Sequence, residues 1–539
     1  MSTQVFPTKA EPSQLAKLGQ QIALGGLAIY VLFAPHSVAA SAIGVAIAGG
    51  GWLIRTLGAR SFGLHRSKFD LIILLSLLWT VISAVLSEEP RISIAKLTAS
   101  WTVFLFYLTR ATLTRRSIMV FGALLIVSGC AGAIYSVFDL LRGRGVVVEA
   151  ISPDSPFQRV GVGPGDTIWR VGGRRIYSVT EIEEILRETP PGTALTIGII
   201  SRGEQVERAG VIASQTSGLT GSTRNHRFRA SGWTRHYQTF AELMQMIGLL
   251  ALGIALAHLR NHGANRIFRI ALVAAALFTL GLVFTAMRTV IVAFVIGASV
   301  IAWRSMRGSY KLVFTLTLFF VIAFGAMVVW QTRDRNALVL GDPSSSLRLQ
   351  VARAGLERIP VHPIFGHGMD AMKLHWSEWG FPGNDILHLH STPLQLAFDR
   401  GLPMLLLWLW MMGAFWLMLS RASREREDSS DTNAYGVLLG TLGALTGFLV
   451  SSLVNYNYGD AEVVMMFWFL MGISPILAKD ASLECGDSSP FWSHRGNAHS
   501  TRDQSADKSA HSKAAPEITA VPHPPLAGYL LPKTLPERG

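Results

Sequence analysis

The residues best suited to chemistry lie in a polar segment, Arg333 to Asp399, within a chain that is otherwise rich in long apolar runs. The segment contains Arg348 and the pair His388 and His390. A guanidinium can bind two phosphate oxygens at once, and it stays charged. A histidine can gain or lose a proton near neutral pH. Because a loop this long is rarely a simple connector, the segment predicts chemistry on a phosphate-bearing lipid at a membrane surface.

Arg288 is a third basic candidate, at the turn between two apolar runs. A charge at the end of an apolar hairpin is costly in lipid and is often functional. The alternative is an Arg that snorkels to the interface. Arg348 has a similar alternative, because it opens a predicted amphipathic helix, 347–359, on which an Arg can simply contact solvent or lipid head groups.

His388 and His390 have a spacing that metal ligands also use. The nearby acids Glu378, Asp385 and Asp399 complete no recognisable metal pattern around them. We therefore predict neither a metal nor another cofactor.

The composition predicts an all-α polytopic membrane protein. Half of the residues are hydrophobic, 15% are charged, and the mean hydropathy is +0.36. Apolar runs of about 17 to 20 residues recur, each long enough to cross roughly 30 Å of hydrocarbon. We predict about twelve spans, near 18–35, 38–54, 69–86, 92–109, 117–141, 237–257, 270–286, 289–303, 312–330, 402–420, 434–453 and 461–477.

Lys and Arg collect in alternate loops, which the positive-inside rule places in the cytoplasm. These loops lie around 55–68, 110–116, 260–269, 304–311 and 421–426. Both termini are then cytoplasmic, whereas residues 142–236 and 331–401 lie outside. Residues 331–401, which contain the polar segment described above, are hereafter called the polar loop. On this interpretation, the net charge of +13 comes mainly from the basic cytoplasmic loops and a basic tail. It does not predict nucleic-acid binding.

Residues 144–212 break the apolar pattern with short strand-like runs, Gly/Pro turns and one helical stretch. For that helix we predict Thr180 as the N-cap and Glu183 as its capping-box partner. The run SPDSPFQRVGVGPGDTIWRVGG, residues 152–173, closely resembles a PDZ domain of the bacterial type. PDZ domains bind an extended peptide or C-terminus by adding a strand to a sheet edge. The resemblance implies peptide binding at Gly145, Val146, Val147 and Val148; the alternative is a spacer that packs on its own membrane domain.

A PDZ module on a membrane protein also suggests an intramembrane metalloprotease. That enzyme class needs His-Glu-x-x-His on a helix, which supplies two ligands and a general base. The chain contains no His-Glu pair, and this class is excluded.

The order of motifs outside the PDZ-like module resembles the O-antigen ligase family, which includes lipid A-core ligases, O-antigen polymerases and some protein O-oligosaccharyltransferases. The resemblance is carried by Arg348, by the run 362–368 (HPIFGHG), by 390–395 (HSTPLQ) and by 399–401 (DRG). Ser391 stands where the family commonly has Asn, and Asp399 where it commonly has Glu. Arg288 matches the family's Arg near a span end, and 229–236 resembles its Arg-x-x-Gly-x-x-x-His approach to a span.

The resemblance implies transfer of a glycan from an undecaprenyl-diphosphate donor to an acceptor hydroxyl on lipid A-core, a glycan or a protein. Arg288 and Arg348 would hold the diphosphate, and His390 would take the acceptor proton, in one inverting, metal-independent step. Further substrate-binding residues implied by the resemblance are Arg229, His236, His388 and Gln395.

The implied protein lies in the bacterial inner membrane, with the PDZ domain and the polar loop in the periplasm. Its predicted parts are N-terminal spans (1–141), the PDZ domain (142–215), a linker (216–236), a membrane catalytic region (237–478) and a disordered cytoplasmic tail (479–539). A polymerase of the same family remains an alternative, and the PDZ domain implies a protein or peptide partner. A transporter or flippase would need charged or broken helices near the midplane, and most predicted spans lack them.

Overall fold

The computed structural model describes residues 13–64, 66–201, 204–212, 216–226, 228–234, 236–308, 311, 343–383 and 388–478. Among these residues, ten helices are long and apolar enough to cross a membrane, and Asp70–Leu86 is a shorter apolar helix. The prediction of a helical polytopic membrane protein is confirmed. The predicted span near 312–330 and the tail 479–539 lie outside the described residues, and the count of twelve spans stays a prediction.

The first part of the chain forms a set of apolar helices that follow the predicted spans closely. They are α1 (Gln14–Phe33), α2 (Val38–Ala59), α3 (Asp70–Leu86), α4 (Pro90–Lys96), α5 (Phe104–Thr112) and α6 (Arg115–Arg142), with a 3-10 helix, Leu97–Val103, joining α4 to α5. Ser37 begins α2 by accepting a hydrogen bond from the Ala40 backbone N–H. Such caps satisfy a backbone donor that the helix leaves free.

A small α+β region follows α6. It contains β1 (Val146–Val147), β2 (Ala150–Ile151), α7 (Pro156–Arg159), β3 (Thr167–Val171), β4 (Arg174–Arg175), α8 (Val179–Glu188), β5 (Ala194–Ser201), β6 (Glu204–Ile212) and β7 (Leu219–Thr220). The main sheet has the antiparallel order β1-β3-β5-β6, with β4 beside β3, and β2 pairs with β7. Apolar side chains from β1, β3, β5 and α8 form its separate core.

The predicted cap of α8 is wrong by two residues. Ser178 is the N-cap, and its hydroxyl accepts from the Glu181 backbone N–H at 3.2 Å. The Glu181 carboxylate in turn accepts from the Tyr177 backbone N–H at 3.0 Å. Ser178 has the extended backbone that an N-cap requires, whereas Thr180 already lies inside the helix.

The remaining helices are α9 (Tyr237–His262), α10 (Arg266–Phe284), α11 (Arg288–Ser305), α12 (Pro343–Arg358), α13 (Ala371–Leu374), α14 (Thr392–Glu425), α15 (Thr432–Ser452) and α16 (Ala461–Ala478). They belong to the membrane region, except α12 and α13, which lie in the polar loop. The apolar windows of α9 and α15 are both 83% buried, so these two helices lie at the centre of the bundle. A Cβ on Gly253 would lie 2.2 Å from the Gly440 backbone nitrogen, which shows how closely they pack.

Several basic loops meet at one end of the bundle. Arg260 pairs with Glu427, Arg115 with Asp431, and Arg307 with Asp428. These pairs bring together loops that the sequence assigns to the same side of the membrane.

The PDZ-like region is fixed to the end of α6 by a buried ion pair. The Arg144 guanidinium donates to Asp139 at 2.6 Å and to the Ser231 hydroxyl at 3.1 Å. Arg175 donates to the Tyr135 hydroxyl of α6 at 2.5 Å. Two charged residues buried together hold their geometry well only when such further hydrogen bonds are present, so this region is attached at a defined position.

The described part of the polar loop is a compact unit and not an open connector. Its own apolar core is formed by Val351, Ile359, Ala371, Met372, Trp376, Trp379, Phe381, Leu389, Ala397 and Phe398. The predicted span 402–420 is the second part of α14, which begins ten residues earlier and bends at Gly401. Gly401 has φ +79°, and a Cβ there would lie 1.8 Å from the Ile364 carbonyl oxygen. Glycine is required at this bend.

Candidate active site at the polar loop

His390 is positioned by hydrogen bonds around its neighbour Leu389. The Leu389 side chain is fully buried in the loop core, and its backbone N–H donates to Gln395 Oε1 at 2.7 Å. Gln395 Nε2 donates to Asp399 Oδ1 at 2.8 Å. Since the buried Gln395 amide is engaged at both ends within the chain, its geometry is that of a positioning residue more than of a substrate ligand.

The His390 backbone adopts a strained conformation. Its φ is +50°, in the left-handed region that few non-glycine residues adopt. Both ring nitrogens are buried, and neither has a hydrogen-bond partner among the described residues. Strain of this kind concentrates at functional sites, and an unpaired buried polar group is costly unless something else binds it.

Burial, helped by nearby basic residues, keeps both loop histidines neutral. Burial, with the neighbouring His388 and the charge of Arg348, lowers the pKa of His390 from 6.5 to about 3. Burial, with the charges of Arg348 and Lys373, lowers the pKa of His388 to about 4. The two rings are 4.1 Å apart. A neutral imidazole is the form that can accept a proton.

Arg348 lies on α12 and is partly buried, as is the His pair. The preceding Leu347 packs against the loop core, so α12 presents one face to that core. Among the described residues, the Arg348 side chain forms no hydrogen bond or ion pair, whereas the Arg353 side chain on the same helix pairs with Glu357 at 3.1 Å. After burial, the charge of Arg348 is one of the causes that lower both histidine pKa values, so it lies near enough to act on the pair.

Arg288 is the exposed first residue of α11. Its neighbour Thr289 accepts from Asn455 Nδ2 at 3.3 Å. The Asn455 carbonyl accepts from the Thr392 backbone N–H at 3.2 Å and from the Thr392 hydroxyl at 3.1 Å. Because Thr392 follows His390 by two residues, these bonds put the start of α11 and the His390 turn at the same end of the bundle.

The sequence analysis missed the buried polar residues beneath this turn. Glu242 of α9 is 1% exposed, and its carboxylate accepts from the Ser451 hydroxyl at 2.8 Å and from Asn455 at 3.4 Å. Asn457 accepts from the Thr392 hydroxyl at 2.9 Å. An acid five residues after the start of an apolar span was the signal available, because such a residue is rarely lipid-facing.

Arg229 and His236 lie before α9. The Arg229 guanidinium stands 4.6 Å from the centre of the Tyr237 ring. The next residue, Ala230, donates its backbone N–H to the Phe284 carbonyl at 2.9 Å, which ties this segment to the turn that precedes Arg288. The His236 side chain is exposed and makes no capping bond to α9.

The predicted peptide edge of the PDZ-like region is already paired with the chain itself. Residues 217–225, hereafter the linker strand, run beside residues 144–152. Val147 N–H donates to the Thr223 carbonyl at 2.9 Å, and Glu149 N–H to the Thr220 carbonyl at 2.8 Å. On the other side, β1 pairs with β3. The backbone groups near Gly145 to Val148 that would bind an added strand are thus engaged on both sides.

Comparison with known protein families supports both resemblances, that to O-antigen ligases and that to PDZ domains. Residues 273–409 match the family model described as O-antigen ligase, and 147–200 match the PDZ domain model. The first match includes Arg288, Arg348, His388, His390 and Gln395, whereas Arg229 and His236 lie before it.

Curated relatives match this chain over short stretches, and two of them are as follows. The magnetosome formation protease MamE of Magnetospirillum gryphiswaldense is 36% identical over 66 residues, which are 12% of this chain and 8% of the relative. A probable periplasmic serine endoprotease, DegP-like, of Hahella chejuensis is 29% identical over 72 residues, which are 13% of this chain and 15% of the relative. The chain spans only these small parts of either protease. The chain therefore has a region similar to the O-antigen ligase family, residues 273–409, and a region similar to a PDZ domain, residues 147–200, within a helical membrane protein.

Proposed function

We propose that the chain is an inner-membrane glycosyltransferase that transfers a glycan from an undecaprenyl-diphosphate donor to an acceptor hydroxyl at the periplasmic face. The observation that carries this proposal is the strained, buried and neutral His390 beside the charge of Arg348. The O-antigen ligase match supports the reaction class.

Arg348 and Arg288 bind the donor diphosphate in this mechanism. A lipid diphosphate concentrates negative charge, and guanidinium groups bind its oxygens bidentately. As the bond between the anomeric carbon and the diphosphate oxygen breaks, both arginines stabilise the charge on the departing undecaprenyl diphosphate. The lack of a described partner on the Arg348 side chain leaves its donors available for this role.

His390 acts as the general base, and the negative charge of the bound diphosphate raises its pKa from the value of about 3 towards the range of an effective base. Its neutral ring accepts the acceptor's hydroxyl proton while that oxygen attacks the anomeric carbon from the side opposite the diphosphate. One such displacement inverts the anomeric configuration and needs no nucleotide. Gln395 and Asp399 hold the Leu389 backbone, and through it the His390 turn, in position.

The test uses purified protein in liposomes with a lipid-linked glycan donor. We expect Arg348→Ala and Arg288→Ala each to lower kcat by about 10²–10³-fold, the usual effect of removing one group that stabilises a developing charge. Arg353→Ala is the matched control on α12, because Arg353 is exposed and pairs only within its helix. Full activity in both test variants would refute the assignment.

The acceptor decides between a ligase and a polymerase. A polymerase extends another lipid-linked glycan, whereas a ligase delivers the glycan to lipid A-core or a protein. Products that grow by repeated units when the lipid-linked donor is the sole glycan indicate polymerase. Transfer that requires lipid A-core or a protein indicates ligase.

The PDZ domain is proposed to serve a protein partner. Since the linker strand pairs with the edge that a peptide would use, a ligand must displace that strand. The linker strand leads directly to Arg229 and α9. The strand that a partner would displace is therefore part of the segment that connects the PDZ domain to the membrane region.

A further inference from the structure

We propose a structural zinc site formed by Glu88, His362 and His367, independent of the proposed transferase chemistry. Glu88 lies in the turn between α3 and α4, and the two histidines lie in the polar loop. Their ligand atoms all lie within 4.8 Å of one another. The site would fasten the loop to that turn.

His367 supplies the strongest argument. Its side chain is fully buried, and its ring stacks on Phe398 with centroids 4.5 Å apart. Its Nε2 stands 3.1 Å from the Arg358 carbonyl oxygen and its Nδ1 2.6 Å from Glu88 Oε2. Nε2 must carry the proton that bonds the carbonyl, so the Nδ1 lone pair of a neutral ring points at a carboxylate. A bound cation, or a second proton, is required between them.

A metal ion explains this arrangement together with His362. The His362 Nε2 lies 3.6 Å from the same Glu88 Oε2, and its ring centroid is 4.9 Å from that of His367. Among the described residues, the His362 side chain makes no hydrogen bond that would explain its placement. Zinc bonds of about 2.0–2.1 Å in a tetrahedral site set ligand atoms roughly 3.4 Å apart. Binding zinc would therefore open the 2.6 Å pair, and would close any pair that lies near the 4.8 Å limit.

The ligand chemistry favours Zn²⁺. Two imidazoles and one carboxylate form a common zinc ligand set, with a fourth position left for water. The hydrogen bond from the second His367 nitrogen to a backbone carbonyl is the usual outer support of a metal-binding histidine. His362 and Glu88 are 43% and 33% exposed, so an ion can enter from solvent.

The site lies within an existing contact between the loop and the α3–α4 turn. Glu89 N–H donates to the His367 carbonyl at 3.3 Å, and Lys96 pairs with Asp370 at 2.5 Å. A zinc ion would add a strong link to these weaker contacts and keep the loop core seated on the membrane region.

A neighbouring cluster provides the matched control. The His375 ring donates from Nδ1 to Glu378 at 2.6 Å and from Nε2 to Glu89 at 2.9 Å. Both of its nitrogens face separate carboxylates, which is the arrangement of a simple imidazolium ion pair. His375→Ala therefore removes a histidine from the same surface without removing a proposed ligand.

The experiment uses the full chain, purified in detergent with a tag that contains no histidine, stripped with chelator and titrated with Zn²⁺. Metal content and the zinc-dependent shift in melting temperature are measured. We expect about one site-bound Zn²⁺ per chain and an affinity at least about 100-fold lower in His362→Ala and Glu88→Gln, since even losing an outer-shell partner costs 10–100-fold. His375→Ala should bind as wild type does.

Either of two results overturns the site. If zinc does not stabilise the wild-type chain, His367 and Glu88 form only an imidazolium–carboxylate pair. Unchanged zinc affinity in both ligand variants would place the metal elsewhere, for example on the tail histidines. Because the measurement is metal binding and not transfer, failure of the transferase proposal leaves it unaffected.

Discussion

Replacing His390 with Asn separates the stability of the His390 turn from its chemistry. Asn removes the base, so kcat should fall by about 10²–10⁴-fold, the usual contribution of general-base catalysis. Asn also adopts the left-handed conformation more readily than most residues, whose cost there is roughly 1–2 kcal/mol. We therefore expect His390→Asn to be as stable as wild type or more stable by about 1 kcal/mol.

The pH dependence of stability gives the same prediction a second measurement. The pKa of His390 is about 3 in the folded chain and the ordinary 6.5 in the unfolded chain. Between these values the unfolded chain binds the proton first, so stability is lost as pH falls from 6.5 towards 3. The slope from one such group is at most about 1.4 kcal/mol per pH unit. His390→Asn should flatten this acid slope, while His388, with a pKa of about 4, maintains part of it.

Transfer kinetics in liposomes and melting temperatures between pH 4 and 8 provide the assay. The profile of kcat/KM should show no limb near pH 6.5 from the free enzyme's base. His375→Asn is the control, because both nitrogens of the His375 ring pair with carboxylates that have no role in the proposed mechanism. More than a tenth of wild-type kcat in His390→Asn would refute the base assignment. Destabilisation by more than about 2 kcal/mol would refute the strain argument.

Two further predictions concern the support of the site and the PDZ edge. Gln395→Leu leaves the Leu389 N–H without its acceptor, so we expect about 1–3 kcal/mol of lost stability and a lower kcat at similar KM. Unchanged kcat would show that the His390 turn holds its position unaided. A Cβ at Gly221 would lie 2.2 Å from the Val147 carbonyl, so Gly221→Leu should release the linker strand and increase binding of extended peptides, measured on the full chain by a peptide array. Gly163→Ala, at an open position, is its control, and equal binding in both variants would contradict displacement.

The sequence by itself determined the parts of the fold that depend on the number of apolar residues in a consecutive stretch of chain. Crossing a membrane requires a length of apolar residues, and that length can be counted along the chain. Eleven of the predicted spans coincide with apolar helices in the described residues. The PDZ domain was equally readable, because its Gly/Pro turns and strand-like runs lie within about seventy consecutive residues.

The sequence also nominated Arg288, Arg348 and His390, but it could not give their states. The positive φ of His390 follows from how its turn is held between the loop core and α14. The role of Gln395 depends on the two groups that its amide bonds, which are the Leu389 backbone N–H and Asp399 Oδ1. Helix caps failed similarly, since Ser178 and Thr180 are both acceptable by residue type and only the backbone conformation distinguishes them.

Only the tertiary structure decided which distant polar groups meet. Glu88 and His367 are 279 residues apart, and no spacing rule connects them. The linker strand covers the PDZ edge because its backbone reaches that edge with a matching register, which residue types alone do not specify. Apolar burial is additive along a helix, whereas a hydrogen bond or metal ligand depends on the exact placement of two atoms. For that reason the spans could be read from the chain, and the contacts that organise its polar loop could not.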